Sequence, residues 1–311
     1  MTAVAASSPS AMGRADWASA LVVIVIWGLN FVVMKWGLAT LSPLLLCALR
    51  FVAASVPLLL FVRPPRSVGW GLLAAYGLVQ GVGQFGLLFT GMKLGMPAGM
   101  ASVVLQTQAF ITMLLAALLM GEQPQRWQWL GLGIAIGGLG LIGAAHGDGA
   151  AGMTLLGFVF TVGAAAMWAA SNLLTRVAAR QGPYEPVSFI VWTSVFPVLP
   201  LALLALWVDG AESVQHQLQG IGWRELGAVA YLAVLSTLLG YGLWTRLLQR
   251  YAASTVAPLS LLVPVVGMAS AALLLGETLS GLQLTGAVLI MAGLYINVFG
   301  LRLVRPGMAR G

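Results

Sequence analysis

Residues 17–38 read WASALVVIVIWGLNFVVMKWGL, a run of 22 residues in which Lys35 is the single charge. A helix that spans a membrane needs about 20 mostly apolar residues, so this run is long enough to cross a bilayer. Nine further stretches meet the same requirement, and the connections between them are too short for a separate soluble domain. The sequence therefore predicts an all-α membrane protein with ten transmembrane helices. The predicted spans are residues 17–38, 44–62, 69–92, 98–120, 127–145, 155–177, 186–208, 225–247, 254–275 and 281–301.

The composition excludes an ordinary soluble protein. Of 311 residues, 60% are hydrophobic and 7% are charged, whereas about 25% are charged in an average soluble domain. The net charge of +7 is compatible with nucleic-acid binding, but the basic residues lie at the ends of apolar segments and form no patch. We therefore expect membrane lipid around the protein and no nucleic-acid partner.

Basic residues predict the orientation of the helices. Cytoplasmic connections carry an excess of lysine and arginine, and eleven of the fifteen such residues fall on one side of the predicted membrane against three on the other. The remaining one, Arg50, lies inside the second span. This asymmetry predicts that both termini lie in the cytoplasm, at residues 1–16 and 302–311. Two cytoplasmic termini require an even number of spans, which agrees with ten.

The two halves of the chain repeat each other. Gly121-Glu122 follows the fourth span and Gly276-Glu277 follows the ninth, an offset of 155 residues. Each half contains five spans, so the second half must enter the membrane from the opposite side. Inverted repeats of this kind build secondary transporters, whose substrate site lies near the middle of the membrane between the halves. The predicted units are residues 17–146 and 155–301, joined by a periplasmic linker at residues 147–154.

Polar and aromatic side chains inside the spans are candidates for a substrate site. Trp27 and Trp168 occupy equivalent positions in the first and sixth spans, and Asn30 and Asn172 follow them by one turn. Amide side chains in hydrocarbon need partners, so both asparagines should face the interior of the bundle. A cavity wall that recognises a polar solute and a hydrogen bond between helices both satisfy this requirement, and the sequence leaves the two open.

Further candidates lie on the third, fourth, eighth and ninth spans. Tyr76, Gln80 and Gln84 follow one another at a spacing of four residues and form one polar stripe. Gln106 and Gln108 point in different directions from the fourth span, and we prefer Gln106 as a cavity residue, with Gln108 as a packing residue. Each candidate can instead belong to the core. The remaining candidates are Tyr241 and Ser260.

Arg50 lies two turns into the second span. A buried arginine costs about 3 kcal/mol on insertion scales unless it pairs or reaches the interface, so it should have a partner. In one interpretation Arg50 attracts the carboxylate of a substrate. In the other it caps free carbonyl groups or extends to the outer interface.

Acidic groups and histidines are missing from the predicted interior. All eight acids and both histidines lie at helix ends or in connections. Proton relays and exporters of drug cations commonly use an embedded acid, and intramembrane hydrolysis needs a zinc pair or an activated serine. We therefore expect no enzyme, no catalytic residue, no metal and no cofactor. Residues 81–86, GVGQFG, match a dinucleotide fingerprint, but they sit in mid-helix with no preceding strand, which argues against nucleotide binding there.

Several motifs together resemble one family along nearly the whole chain. They are WGLNFVV at 27–33, GMPAG at 95–99, VLQ at 104–106, VAPLSLLVP at 256–264, GLQ at 281–283, GAVLI at 286–290 and GLYIN at 293–297. The chain resembles the EamA family of the drug/metabolite transporter superfamily, and more narrowly its O-acetylserine/cysteine exporter branch. The resemblance implies an inner-membrane exporter of amino acids and their metabolites. It also implies a central cavity lined mainly by the first, third, fourth, sixth, eighth and ninth helices.

The expected function is export of small neutral or zwitterionic amino-acid metabolites by alternating access, with cysteine and O-acetylserine as the leading substrates. The alternative is a carrier of broader drug/metabolite or nucleotide-sugar-like specificity. A nucleotide-sugar carrier should place several lysines or arginines in its cavity for the phosphates, and Arg50 is the one candidate here. The source of energy stays open between downhill flow and proton coupling. A homodimer is also open, because Gly91 with Gly95 and Gly133 with Gly137 have the spacing for close helix approach.

Overall fold

The computed structural model describes residues 12–147, 152–251 and 253–304. Every regular element in these ranges is helical, and nine of the described helices are long and apolar enough to cross a membrane. A further apolar helix, Pro43–Leu58, is shorter, so the count of ten spans stays a prediction. Parts of the predicted tails and linker, residues 1–11, 148–151 and 305–311, lie outside the described residues.

The helices follow the order of the predicted spans, with one addition in the second half. The first half contains α1 (Arg14–Gly37), α2 (Pro43–Leu58), α3 (Trp70–Lys93), α4 (Ala98–Met120) and α5 (Arg126–Ala144). The second half contains α6 (Leu155–Gln181), α7 (Pro186–Asp209), α8 (Ala211–Gln219), α9 (223–250), α10 (253–275) and α11 (Gly281–Val304). The addition is α8, a short helix in the connection for which the sequence predicted no helix.

Local sequence sets where the helices begin and end. Ser42 and Thr154 cap α2 and α6 by accepting a bond from a backbone N–H of the first turn. Gly121 and Gly276 end α4 and α10 at φ of 71° and 66°, a left-handed conformation that favours glycine. The two glycines thus form equivalent caps in the two halves. The second predicted span was too long, because α2 ends at Leu58 and residues 59–61 form a turn.

The same departures from α-helical geometry occur in both halves. α3 contains a π-helical segment at Leu78–Gly86, and α9 contains one at Tyr231–Gly240. α4 passes through a 3₁₀ segment at Leu105–Thr107, and α10 passes through one at Ala257–Leu261. α10 contains Pro258 and Pro264, whereas α4 is interrupted at the equivalent place without a proline. π-helical segments inside helices are frequent at functional sites.

Glycines bring α5 and α11 into close contact. A Cβ atom on Gly131 would lie 2.6 Å from the carbonyl oxygen of Gly293, and one on Gly138 would lie 2.6 Å from the carbonyl oxygen of Gly286. Small residues at helix interfaces allow backbones to approach in this way. These four glycines therefore pack the two helices together within the chain.

The outer surface of the bundle is apolar. Large side chains on α4, α7 and α10 are strongly exposed, among them Leu118 at 79%, Leu199 at 66% and Leu273 at 84%. Contiguous exposed apolar surface of this kind is unfavourable in water and suits a lipid environment. Together with the long apolar helices, this surface makes the chain a multi-pass membrane protein.

Candidate functional site

A cavity of about 370 Å³ lies in the middle of the bundle. It is lined from α1, α2, α3, α4, α6, α7, α9 and α10, and therefore by both halves of the chain. Nine of the ten residues predicted for the site contribute to its wall. These nine are Trp27, Asn30, Arg50, Gln84, Gln106, Trp168, Asn172, Tyr241 and Ser260. The structure thus brings residues that are far apart in the sequence to one chamber.

Gln80 is the predicted residue that does not line this cavity. It lines a smaller adjoining pocket, and its Nε2 donates to the phenol oxygen of Tyr241 at 3.2 Å. Gln84 lies four residues further along the π-helical segment of α3 and lines the central cavity. Gln80 therefore supports a residue of the wall from behind.

Aromatic rings form one wall of the cavity. The ring of Trp27 lies 5.1 Å from that of Tyr241 and 5.4 Å from that of Trp244, centroid to centroid. The indole Nε1 donates to the carbonyl oxygen of Ser236 at 3.1 Å. The facing backbone position on α9 is Gly240, where a Cβ atom would lie 2.5 Å from the indole nitrogen. Trp27 of the first half is thereby fixed against the π-helical segment of the second.

The amides of the cavity fall into two groups. Asn172 Nδ2 donates to Gln108 Oε1 at 2.7 Å and to Thr112 Oγ1 at 3.2 Å, and Gln106 Nε2 donates to the carbonyl oxygen of Ser260 at 3.4 Å. These side chains satisfy both interpretations left open by the sequence, because they line the cavity and also join helices. Gln108 lines the cavity as Gln106 does. In the second group, the amide oxygens of Asn30 and Gln84 are buried without a hydrogen-bond partner.

Arg50 is enclosed in the bundle with an exposed fraction of 1%. Its Nε and Nη2 atoms donate to the hydroxyl of Thr237 on α9 at 3.2 and 3.0 Å. The guanidinium carbon lies 3.8 Å from the centroid of the Phe85 ring, a cation–π contact. The burial argues against the interpretation in which Arg50 extends to the outer interface. Nη1 has no hydrogen-bond partner, and the residue lines the cavity.

One end of the cavity reaches the connection between α6 and α7. Thr175, Tyr184, Pro186 and Leu248 line it there, on the side of the bundle where the last turns of α6 and α9 contain Arg180 and Arg250. Burial raises the pKa of the Tyr184 phenol above its ordinary value, so this side chain is neutral. The cavity therefore extends towards the arginine-rich end of the bundle.

The opposite end is closed by charged side chains bound to backbone groups. Lys35 Nζ donates to the carbonyl oxygen of Met92 at 3.2 Å, and Lys93 Nζ donates to that of Leu38 at 2.6 Å. Each ammonium thus binds the C-terminal end of a helix, where the carbonyl groups favour a cation. Glu277 accepts from two backbone N–H groups of the first turn of α4, those of Ala98 at 2.7 Å and Gly99 at 2.9 Å. This carboxylate joins the second half of the chain to the first.

The comparison with known families agrees with this architecture. A model of the EamA-like transporter family matches residues 17–144 and 155–299, which is most of the chain. The chain belongs to the EamA-like transporter family. The two matched ranges correspond to the two halves described above.

Relatives and solved structures of this EamA-like transporter cover nearly its full length. A protein of Salmonella typhimurium (strain LT2) named "Probable amino-acid metabolite efflux pump" is 48% identical over 301 residues, which is 96% of this chain and 100% of the relative. A protein of Escherichia coli (strain K12) with the same name is 46% identical, over 94% of this chain and 97% of the relative. A solved chain with 18% identity and a TM-score of 0.56 covers 94% of this chain and 99% of its own, and it shares the fold.

Four acids of this EamA-like transporter contact the start of a helix, a hydroxyl or a basic side chain. Glu185 caps the start of α7, Glu225 accepts from the hydroxyl of Thr40 at 2.8 Å, and Glu122 Oε1 lies 2.8 Å from Arg176 Nη1. Asp16 lies 3.0 Å from Arg250. Among the described residues that line the central cavity there is no acid. The charge of Arg50 is therefore not balanced by a carboxylate of the wall.

Sequence reasoning missed Thr237, the hydrogen-bond partner of Arg50. Thr237 lies one turn before Tyr241, and this spacing on one helix is the signal that could have identified it. Six apolar residues of the cavity wall were also missed. They carry no polar signal, and they are Phe31, Met34, Phe85, Leu88, Phe189 and Val263.

Proposed function

We propose that this protein exports small neutral or zwitterionic amino-acid metabolites across the bacterial inner membrane, with cysteine and O-acetylserine as the leading candidates. The observation that carries the proposal is the lining of the central cavity, which combines neutral amides, aromatic rings and the cation Arg50. Such a lining suits a solute with one carboxylate and little net charge. Ligand cavities of about 300 to 1,000 Å³ are typical of small-molecule sites, and a volume of about 370 Å³ lies at the small end of that range. The relatives named as efflux pumps support the substrate class.

Transport is proposed to occur by alternating access between two inverted units of five spans. The repeated Gly-Glu caps, the recurring π-helical and 3₁₀ segments and the two ranges matched by the family model support this architecture. The excess of arginine at the end of the cavity lined by Tyr184 and Leu248 supports a cytoplasmic location for that end. In this assignment the structure represents the state that takes up solute from the cytoplasm.

The two Gly-Glu caps suggest how the open and the closed end of the cavity exchange roles during transport. Glu277 binds the first turn of α4 at the closed end, whereas its counterpart Glu122 binds Arg176 at the open end. In an inverted repeat the second state interchanges the roles of the units. Glu122 then accepts from the first N–H groups of α10, and Glu277 pairs with Lys35, the counterpart of Arg176. The cytoplasmic end closes as the periplasmic end opens.

Counterflow in proteoliposomes tests this function. Liposomes that contain the purified protein are loaded with one unlabelled solute, and uptake of the same solute in labelled form is followed. The panel comprises amino acids, their acylated metabolites and nucleotide sugars. We expect saturable exchange of neutral amino-acid metabolites. Exchange of nucleotide sugars in preference to amino acids would favour the alternative carrier, and non-saturable uptake would indicate a channel. Repeating the assay with a pH gradient separates proton coupling from downhill flow.

A homodimer stays a proposal of the same kind. Gly91 and Gly95 pack against residues of the same chain at the start of α6, whereas Gly133 and Gly137 of α5 face open space. Any dimer contact of this type would therefore use the α5 pair. Cross-linking between cysteines placed at Gly133 in a Cys47→Ala background tests it.

A further inference from the structure

Buried polar atoms without a hydrogen-bond partner are concentrated around the central cavity. Six such atoms occur in the described part of the chain, namely Asn30 Oδ1, Arg50 Nη1, Gln80 Oε1, Gln84 Oε1, Asp209 Oδ2 and Asn297 Oδ1. The first four belong to residues that line the central cavity or the pocket beside it. About nine in ten buried polar groups in native proteins have a partner. Their concentration here indicates a ligand that supplies the missing bonds.

The four atoms divide by their chemistry. Arg50 Nη1 is a donor with a positive charge, whereas the oxygens of Asn30, Gln80 and Gln84 are acceptors. A carboxylate can accept the hydrogen bond that Arg50 Nη1 lacks, and an ammonium group can donate the hydrogen bonds that the three amide oxygens lack. Among the three acceptors, Asn30 and Gln84 line the central cavity itself. Their exposed fractions are 6% and 2%, so both oxygens are shielded from bulk solvent.

We propose that the side-chain oxygens of Asn30 and Gln84 bind the α-ammonium group of the transported solute while Arg50 binds its carboxylate. The cavity then selects a zwitterion without using an acid. This inference rests on the proposed function and assigns its substrate the two charges of a free amino acid. It names Asn30 and Gln84 as the residues that distinguish a free amino group from an acylated one.

The positions of the side chains favour this assignment. Gln84 is adjacent in sequence to Phe85, whose ring lies 3.8 Å from the guanidinium carbon of Arg50. The acceptor Gln84 therefore lies on the same π-helical segment as the ring that contacts the donor, and both side chains line the central cavity. Asn30 follows Trp27 by one turn, and the rings around Trp27 provide aromatic faces that attract a cation.

Neutral oxygens also suit a transport cycle. A carboxylate in the wall would bind an ammonium group more tightly, because opposite charges attract each other strongly in the low-dielectric interior of a protein. An exporter has to release its solute on the far side in every cycle. Amide oxygens provide recognition of the ammonium group with weaker retention.

A pair of isomers provides the probe. O-acetylserine has a free amino group, whereas N-acetylserine has the same atoms and a free carboxylate but no ammonium group. Half-saturation for counterflow of both is measured for the wild type, Asn30→Leu and Gln84→Met. We expect each substitution to weaken exchange of O-acetylserine about tenfold or more, the value of a hydrogen bond to a charged group, and to leave N-acetylserine unchanged. Arg50→Gln should weaken both isomers.

Asn297→Leu is the matched control. Asn297 also has a buried oxygen without a partner, but it lies on α11 and does not line the cavity. Its substitution should leave the preference between the isomers unchanged. Equal weakening of both isomers by Asn30→Leu and Gln84→Met, or no weakening of either, would overturn the assignment of the ammonium site.

Two further measurements separate the possible failures. A wild type that exchanges no zwitterion at all would remove the proposed function itself. If Asn30→Leu does not purify as a folded protein, Asn30→Asp takes its place and places a negative charge on the proposed ammonium site. We then expect O-acetylserine to bind several-fold more tightly and N-acetylserine more weakly, and an unchanged ratio would overturn the inference.

Discussion

In the alternating-access cycle proposed above, replacement of Glu277 by glutamine is expected to shift the protein towards the state that opens on the periplasmic side. The carboxylate accepts from the backbone N–H groups of Ala98 at 2.7 Å and Gly99 at 2.9 Å. Glutamine keeps one neutral acceptor and loses both the charge and the second acceptor. Because these bonds join the connection after α10 to the first turn of α4, their loss weakens the contact that closes the outer end of the cavity.

The size of the shift follows from these bonds. A hydrogen bond to a charged group contributes about 1.5 to 3 kcal/mol, and a carboxylate at a helix N-terminus gains about 0.3 to 1 kcal/mol from the helix dipole. Glutamine retains one bond and Glu277 is partly exposed, so we expect a net loss of about 1.5 kcal/mol. Since about 1.4 kcal/mol corresponds to a factor of ten in an equilibrium constant, the ratio of inward-open to outward-open protein should fall about tenfold.

Cysteine labelling measures this ratio. The single native cysteine, Cys47, is buried and can be replaced by alanine to give a clean background. Met34 lines the cavity near its closed end and is fully buried, so Met34→Cys reports opening to the periplasm. Labelling of intact cells with an impermeant maleimide should proceed about tenfold faster when Glu277→Gln is added.

Glu122→Gln is the matched control, because Glu122 occupies the equivalent position but forms an exposed ion pair with Arg176. Exposed pairs contribute about 0 to 1 kcal/mol, so its effect should be small and should not expose Met34→Cys. An unchanged labelling rate in Glu277→Gln, or an equal increase in Glu122→Gln, would refute the assignment of Glu277 as the outer closure.

Three further predictions concern packing and hydrogen bonds. Gly138→Ala should lower the unfolding free energy by about 1 to 3 kcal/mol, because its Cβ meets a carbonyl of α11. Thermal unfolding in detergent measures this effect, and Gly137→Ala, whose Cβ meets open space, is the control. A double-mutant cycle between Gln108→Leu and Asn172→Leu should give a coupling of about 0.6 kcal/mol or more, and additive effects would contradict the hydrogen bond. Trp27→Phe keeps an aromatic ring but loses the indole bond to α9, so thermal stability should fall by about 1 kcal/mol; unchanged stability would show that the bond contributes nothing.

Helix positions were largely predictable because they follow from local sequence. The predicted fourth span, residues 98–120, coincides with Ala98–Met120, since Pro97 precedes the helix and Gly121 can adopt the left-handed conformation that ends it. The apolar run of the second span continues beyond Leu58, but the helix does not. Hydropathy therefore located an apolar helix but not its end, because apolar residues can lie in a turn as well as in a helix, and its crossing of the membrane stays a prediction.

The cavity was less predictable, because contacts between distant helices determine it. The π-helical segment of α3 changes the direction of successive side chains, so that Gln84 faces the chamber and Gln80 lies behind Tyr241. A spacing of four residues gives no sign of that difference. Arg50 was expected to need a partner, but its bond to Thr237 depends on how α2 packs against α9. Sequence alone thus supplied the candidates without their roles.

The glycine contact between α5 and α11 has a consequence for the moving parts. Gly131 meets Gly293 and Gly138 meets Gly286, each partner belonging to the opposite half of the chain and each carbonyl approached in return. In the proposed inverted repeat, the Gly131–Gly293 contact and the Gly138–Gly286 contact are each other's counterparts, so the pair of contacts is preserved when the halves interchange their roles. α5 and α11 can therefore keep their packing at the glycines during transport. The cavity-lining helices then rearrange around this fixed pair.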